Sequence, residues 1–142
     1  MRLALREAER ALEHDDVPVG AVIVRDGEVL AAAHNERELR EDPTAHAEML
    51  AVRSAAATLG SWRVLDTVMY VTLEPCTMCA GAIILSRIPR IVFAAPDPKA
   101  GAAGGVLDLL NVPEFNHRPE CAGGLLADES GTMLRAFFAG RR

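Results

Sequence analysis

Two short segments constrain this chain more than anything else in it: His46-Ala47-Glu48, and Pro75-Cys76-Thr77-Met78-Cys79 further along. Cys76 and Cys79 are spaced i and i+3, so in the first turn of a helix both project to one side. One imidazole and two thiols make a ligand set that neither segment holds alone, so a fold that uses it must bring the two segments together. Three such ligands leave one position of a tetrahedral zinc site open for water. Glu48 lies too near His46 in sequence for both to serve readily as ligands, and is free to face that position. The pattern points to hydrolytic chemistry.

The positive end of a helix favours the thiolate, which is the form that binds metal. Zinc lowers the pKa of bound water to about 7, and a carboxylate beside it is suited to move the proton. Other readings exist. A redox Cys-x-x-Cys needs no histidine and usually ends a first β-α unit. A closed structural zinc site needs a fourth protein ligand. Cys121, His117, His34 and His14 are the candidates of the usual type, and none has a paired spacing. A zinc-bearing binding module without activity is the reading of a different class. Cys121 itself is expected to be a small buried hydrophobe.

The chain has 142 residues, half of them apolar, which suits a single domain over 1–142 with one core. No apolar run approaches the roughly 20 residues of a membrane span. Charges stand where a signal peptide would have its apolar stretch, so the expected location is the cytoplasm. Three cysteines, two of them in Cys-x-x-Cys, read there as metal or redox chemistry and not as a disulfide framework. The net charge of −5 argues weakly against nucleic acid, but the balance is uneven. Residues 1–84 hold 8 basic and 14 acidic side chains, residues 85–142 hold 7 and 6. A local basic surface in the second part is compatible with that distribution.

Leu5, Ala8 and Leu12 predict an amphipathic opening helix without an N-cap residue. Val19 to Val24 reads as a buried strand, Asp26-Gly27 as a hairpin turn, and Val29 to Ala33 as the returning strand. Asn35 to Thr44 reads as a loop. Ala47, Leu50, Ala51 and Ala55 give the next helix its apolar face, and Gly60 ends it. Val68 to Leu73 is a third strand. Pro75 opens a helix in which Cys76, Cys79, Ala80, Ile83 and Ile84 share a face. Ile91 to Ala95 is a fourth strand, 97–105 a loop, and Val106 to Leu110 a short helical turn. Residues 118–125 are ambiguous, because Pro119 and two glycines weaken a strand. Leu126, Met133, Leu134 and Phe137 suggest a last helix across Gly131. Helix and strand alternate, which makes the class α/β with helices on both faces of one sheet.

Several longer stretches resemble bacterial tRNA-specific adenosine deaminases. They are Val17-Pro18-Val19-Gly20-Ala21-Val22, Asn35, Asp42 to Glu48, Tyr70 to Cys76 and Met78 to Ala82. Ser86-Arg87-Ile88, Asp97 with Lys99 to Ala102, and Asn116-His117-Arg118 add to them. The likeness runs from about Leu5 to the C-terminus, and the zinc deaminase signature and mechanism are familiar ones. The resemblance implies a cytidine deaminase-like three-layer α/β/α sandwich around a mixed five-stranded sheet. It also implies hydrolytic deamination of adenosine to inosine at the tRNA wobble position, by a homodimer with one zinc ion per subunit. His46, Cys76 and Cys79 would hold the zinc, and Glu48 would be the catalytic acid–base. Asn35 and the backbone at Ala47 would meet the purine. Asp97 and Lys99 would meet the nucleotides flanking it.

Phe138, Arg141 and Arg142 would contact the anticodon loop, since aromatics stack on splayed bases and arginines meet phosphates. Phe137 is expected in the core, and the two arginines read equally well as a solvated tail. The same zinc core serves deaminases of free guanine or cytosine. The features that resemble the tRNA enzymes in particular are 97–105 and 137–142. Against the family pattern, the N-terminus is short, Pro96 and Pro98 stiffen the loop around Asp97, and Gly105 stands where serine is common.

Overall fold

The computed structural model describes residues Met1–Arg141. Five strands form one sheet in the order β2-β1-β3-β4-β5. β1 (Gly20–Arg25) and β2 (Glu28–His34) form a hairpin whose turn residues Asp26 and Gly27 both have positive φ, 50° and 77°. That is the backbone twist an Asp-Gly turn supplies at low cost. β3 (Val68–Leu73) pairs antiparallel with β1, β4 (Arg90–Ala95) parallel with β3, and β5 (Glu120–Gly123) parallel with β4. The sheet is therefore mixed, as the family resemblance implies.

The helices are α1 (Arg2–Ala11), α2 (Arg37–Arg40), α3 (Ala47–Leu59), α4 (Thr77–Leu85) and α5 (Ala127–Ala139). α3 and α4 pack on each other and on the face bearing Ala21, Ile23, Met69 and Val71. α1 packs on the other face so closely that a Cβ at Gly20 would lie 2.0 Å from the Ala4 carbonyl oxygen. α5 shares that face, and its buried Ser130 hydroxyl donates to the Thr72 carbonyl. Among the described residues no helix is long and apolar enough to cross a membrane.

Four local readings change. α1 stops at Ala11, so Leu12 falls in a 3-10 turn and is exposed, and Ala4 and Ala11 complete the buried face instead. The polar stretch after Asn35 contains α2, because the buried Asp16 carboxylate accepts the N–H groups of Glu38 and Leu39 across 22 and 23 residues. The ambiguous 118–125 segment is a true strand. It is an edge strand, every residue of it is exposed, and Cys121 is exposed with it rather than buried. Gly123 belongs there because a Cβ would meet the Phe93 ring at 2.3 Å. Gly131 does not interrupt α5.

Candidate metal centre and substrate pocket

His34, Gly20, Leu73 and Ala95 all lie at one end of the strands, as the register pairs Gly20 with His34 and Leu73 with Ala95. The chain leaves β2 and β3 at that end and enters α3 and α4 there. His46 is the N-cap of α3 and Cys76 the N-cap of α4, both with extended backbone and neither spending its side chain on a cap bond. Cys79 follows in the first turn of α4. The two helix starts thus present a ring and two thiols to one point.

His46 Nδ1 lies 3.7 Å from Cys76 Sγ and 3.5 Å from Cys79 Sγ. Ligand atoms of all three residues lie within 4.8 Å of one another. Tetrahedral zinc with ordinary Zn–N and Zn–S bonds separates nitrogen from sulfur by roughly 3.6 Å. The donor set and its spacing therefore fit zinc. The Cys76 thiol also favours the form that binds metal. The Cys79 thiol, then the His46 ring, hold the Cys76 thiol well below its ordinary range, against the opposing effect of burial. Cys79 is pushed up by the same bond to Cys76 and by burial. His46 is raised, chiefly by its bond to Cys76.

Among the described residues the ligand group has three members. The other candidates are committed elsewhere. His14 pairs with Asp16, His34 with Glu7, and His117 Nε2 with the Ile88 carbonyl, while Cys121 lines a different concavity.

A cavity of about 220 Å³ opens beside the group. It is lined by Asn35, His46, Glu48, Cys76, Asp97 and Phe138, and also by Arg37, Glu74 and Ala100. This is below the roughly 300–1,000 Å³ of pockets for drug-sized ligands, a size for one planar ring system. A larger concavity, about 580 Å³, lies around Phe93, Arg118 and Cys121 and contains none of the three ligands. The chemistry belongs to the smaller one.

Glu48 is 4% exposed, and burial pushes its carboxyl above the usual range. Asn35 is buried and accepts the Ala47 N–H on Oδ1 at 2.8 Å, while its Nδ2 donates to the Val17 carbonyl at 3.1 Å. These bonds fix which end of the amide is which, and leave one acceptor site and one N–H for a ligand. The Ala47 N–H is thereby spent on Asn35. Asp97 Oδ1 accepts the N–H groups of Lys99 and Ala100, a turn that folds the loop after β4. Lys99 is exposed outside the pocket lining.

Phe137 is buried and meets Phe138 edge to face at 5.2 Å between centroids, while Phe138 is half exposed on the cavity. Arg141 lies away from the cavity. Its guanidinium pairs with Asp15, donates to the Phe137 carbonyl at 2.9 Å and stacks over the Phe137 ring. Arg142 lies outside the described residues. Arg37 and Glu74 are pocket residues that motif reading passed over. Arg37 sits in the stretch read as a plain loop, and Glu74 stood only as a letter of a longer match.

The profile of the MafB19-like deaminase family matches residues 1–142. A tRNA-specific adenosine deaminase from Bacillus subtilis (strain 168) is 50% identical over 138 residues, 97% of this chain and 86% of that protein. A solved structure from studies of A-to-I editing by tRNA:A34 deaminases superposes with a TM-score of 0.91 at 46% identity, covering 94% of this chain and 97% of that one. The guanine deaminase of Bacillus subtilis is similar at greater distance, 32% identical with a TM-score of 0.66, covering 99% and 90%.

Proposed function

The chain belongs to the tRNA-specific adenosine deaminase family, and from that premise we propose that it converts adenosine to inosine by hydrolysis at the wobble position of a tRNA anticodon. The observation that carries the chemistry is a His-Cys-Cys group of zinc dimensions opening on the cavity that also holds the buried Glu48. His46, Cys76 and Cys79 would hold the ion. Bound zinc supplies a Lewis acid that brings the ionisation of water close to neutral pH.

The rest is the work of this chain's side chains. Glu48 accepts the proton that the attacking water gives up. It delivers that proton to the ring nitrogen, then takes the second proton of the water from the new hydroxyl on the amino-bearing carbon and passes it to the departing amine, so that one water is consumed and one ammonia leaves. Burial raises its pKa, which favours the protonated form from which it gives the proton back. Asn35 offers its free acceptor and its free N–H to the purine edge, on a side chain already locked by two backbone bonds. A single base must leave its stack to enter a cavity of this size, and Phe138 offers a ring beside the entrance on which a neighbouring base can stack. Asp97 and Lys99 stand on the loop that meets the flanking nucleotides. Arg141 supports the aromatic pair rather than the RNA directly, because its guanidinium is spent on Asp15 and Phe137.

The same reading takes the chain as one deaminase domain over 1–142, acting as a cytoplasmic homodimer with one zinc per subunit. The test is inosine formation at the wobble adenosine of a transcribed anticodon stem-loop, with adenosine, guanine and cytosine run alongside. Conversion of the RNA is expected. Conversion of guanine alone would move the chain to the activity named for its more distant structural neighbour.

A further inference from the structure

Glu74 is the residue immediately before the Pro75-Cys76 turn, and it is 3% exposed. Its backbone N–H is spent on the Ala95 carbonyl, which fixes the end of β3 beside the end of β4. Its side chain reaches into the loop that follows β4. Oε1 accepts the Asp97 N–H at 3.0 Å, and Oε2 accepts the N–H groups of Ala103 at 3.0 Å and Gly105 at 2.8 Å. Three donors converging on two oxygens match an acceptor-only carboxylate.

The neighbouring Pro75 carbonyl accepts a fourth loop N–H, from Ala102, at 2.8 Å. The loop is shaped around this carboxyl group. A Cβ added at Gly101 would lie 2.3 Å from Glu74 Oε2, and one at Gly105 would lie 2.8 Å from both oxygens. Glu74, Asp97 and Ala100 line the cavity together with Cys76. One wall of the pocket is thus hung on the two residues that precede Cys76.

We propose that Glu74 is a positioning residue that sets substrate specificity, holding the 97–105 loop in the form that receives the nucleotides around the target base. The proposal rests on the RNA-deaminase reading above. A loop held at four points is preorganised, so RNA does not have to order it on binding. Because the ties end next to Cys76, the loop and the metal centre keep one frame. A shift between them would separate the base's binding contacts from its reacting atom. Glu74 itself touches neither the proton being moved nor the leaving group.

The experiment compares wild type, Glu74→Gln, Gly105→Ala and the double variant, all zinc-loaded. Gln is nearly isosteric but turns an NH2 group toward N–H donors on one side. Gly105→Ala crowds the same carboxyl group from the loop side without touching the metal-bearing turn. Amide exchange is read at Asp97, Ala103 and Gly105, and steady-state kinetics on the anticodon stem-loop.

The expected result for each single variant is exchange at least tenfold faster at those amides and KM raised about tenfold, the scale of one lost charge-assisted bond. kcat should stay within about threefold and zinc content unchanged. The double variant should be no worse than the worse single one, because both disrupt the same carboxyl cradle. Unchanged exchange at the three amides overturns the proposal. So does a fall in kcat with KM unmoved, or additive losses in the double variant. The exchange arm needs no substrate, so a wild type inactive on RNA defeats the functional reading while the loop-holding claim still stands or falls on exchange.

Discussion

Asn35 Oδ1 accepts the Ala47 N–H at 2.8 Å, so a residue that lines the cavity also secures the first turn of the helix bearing His46 and Glu48. Its Nδ2 ties the same point to the Val17 carbonyl. Asn35→Ala removes both bonds and leaves a buried N–H and a buried carbonyl unpaired. A stability loss of about 2–4 kcal/mol is expected, together with a fall in kcat/KM of more than about 100-fold. Asn35→Asp keeps the acceptor for Ala47 but sets an oxygen against the Val17 carbonyl, and should recover stability only in part. Denaturant melts and stem-loop kinetics on the two variants check this. Equal stability of the Asn35→Ala variant and the wild type would sink the bracing role.

Glu48→Ala should fold and keep its zinc while turnover falls by at least about 10³-fold, within the range for lost acid–base catalysis. Zinc analysis and single-turnover assays decide it. Loss of the metal from that variant would make Glu48 a ligand and reassign the whole centre.

Burial raises the Glu48 pKa, and the sign of its effect on stability follows. The folded, zinc-free protein prefers the protonated carboxyl. The stabilisation is therefore complete below the unfolded value of about 4.3 and is lost as pH rises through the raised folded value. Glu48→Gln stays neutral throughout. In zinc-free protein its stability advantage over wild type should be smallest near pH 4 and grow as the pH is raised toward 7. Urea midpoints of the two proteins across that range report this carboxyl together with its coupling to His46. A gap that narrows with rising pH contradicts the assignment.

How much of this was legible beforehand follows the range of the interactions involved. The His46, Cys76 and Cys79 group could be read because each ligand is chemically distinctive and each sits at a helix start with its own local signature. The hairpin at Asp26-Gly27 and the stop at Gly60 were readable because φ preference is local. β5 was not, because Glu120 to Gly123 has weak strand character and is held by pairing with β4, some 30 residues earlier in the chain. α2 was missed for a similar reason. Its support comes from Asp16, outside its own segment. Glu74 was passed over because a carboxylate beside a strand end looks like a surface residue until the loop that wraps it is in place.

Removal of zinc tests the centre without mutation. Protein dialysed against a strong chelator should lose activity and melt roughly 10 °C lower, and one equivalent of zinc should restore both. Cys79→Ser should mimic the chelated state even in the presence of added zinc. A Cys79→Ser protein that retains one tightly held zinc would show that the 3.5 Å approach of Cys79 to His46 is packing and not ligation.

Arg37 gives the sharpest electrostatic prediction. It is exposed at the mouth of the cavity, and among the described residues no carboxylate lies within ion-pair distance of its guanidinium. Arg141 is in the opposite position, its charge already matched by Asp15. If RNA phosphate is recognised beside the pocket, Arg37 is a cation free to do it. Arg37→Ala should weaken stem-loop binding severalfold at low salt. It should also reduce the slope of log K against log salt by about 0.7, the value for one phosphate contact on a single strand. Arg141→Ala should change the slope little and act through stability, by releasing the end of α5 and loosening Phe137 against Phe138. Binding titrations at four salt concentrations separate the two arginines. A slope that falls for Arg141→Ala and not for Arg37→Ala would exchange their roles, and would mean that the pairing with Asp15 opens when RNA binds.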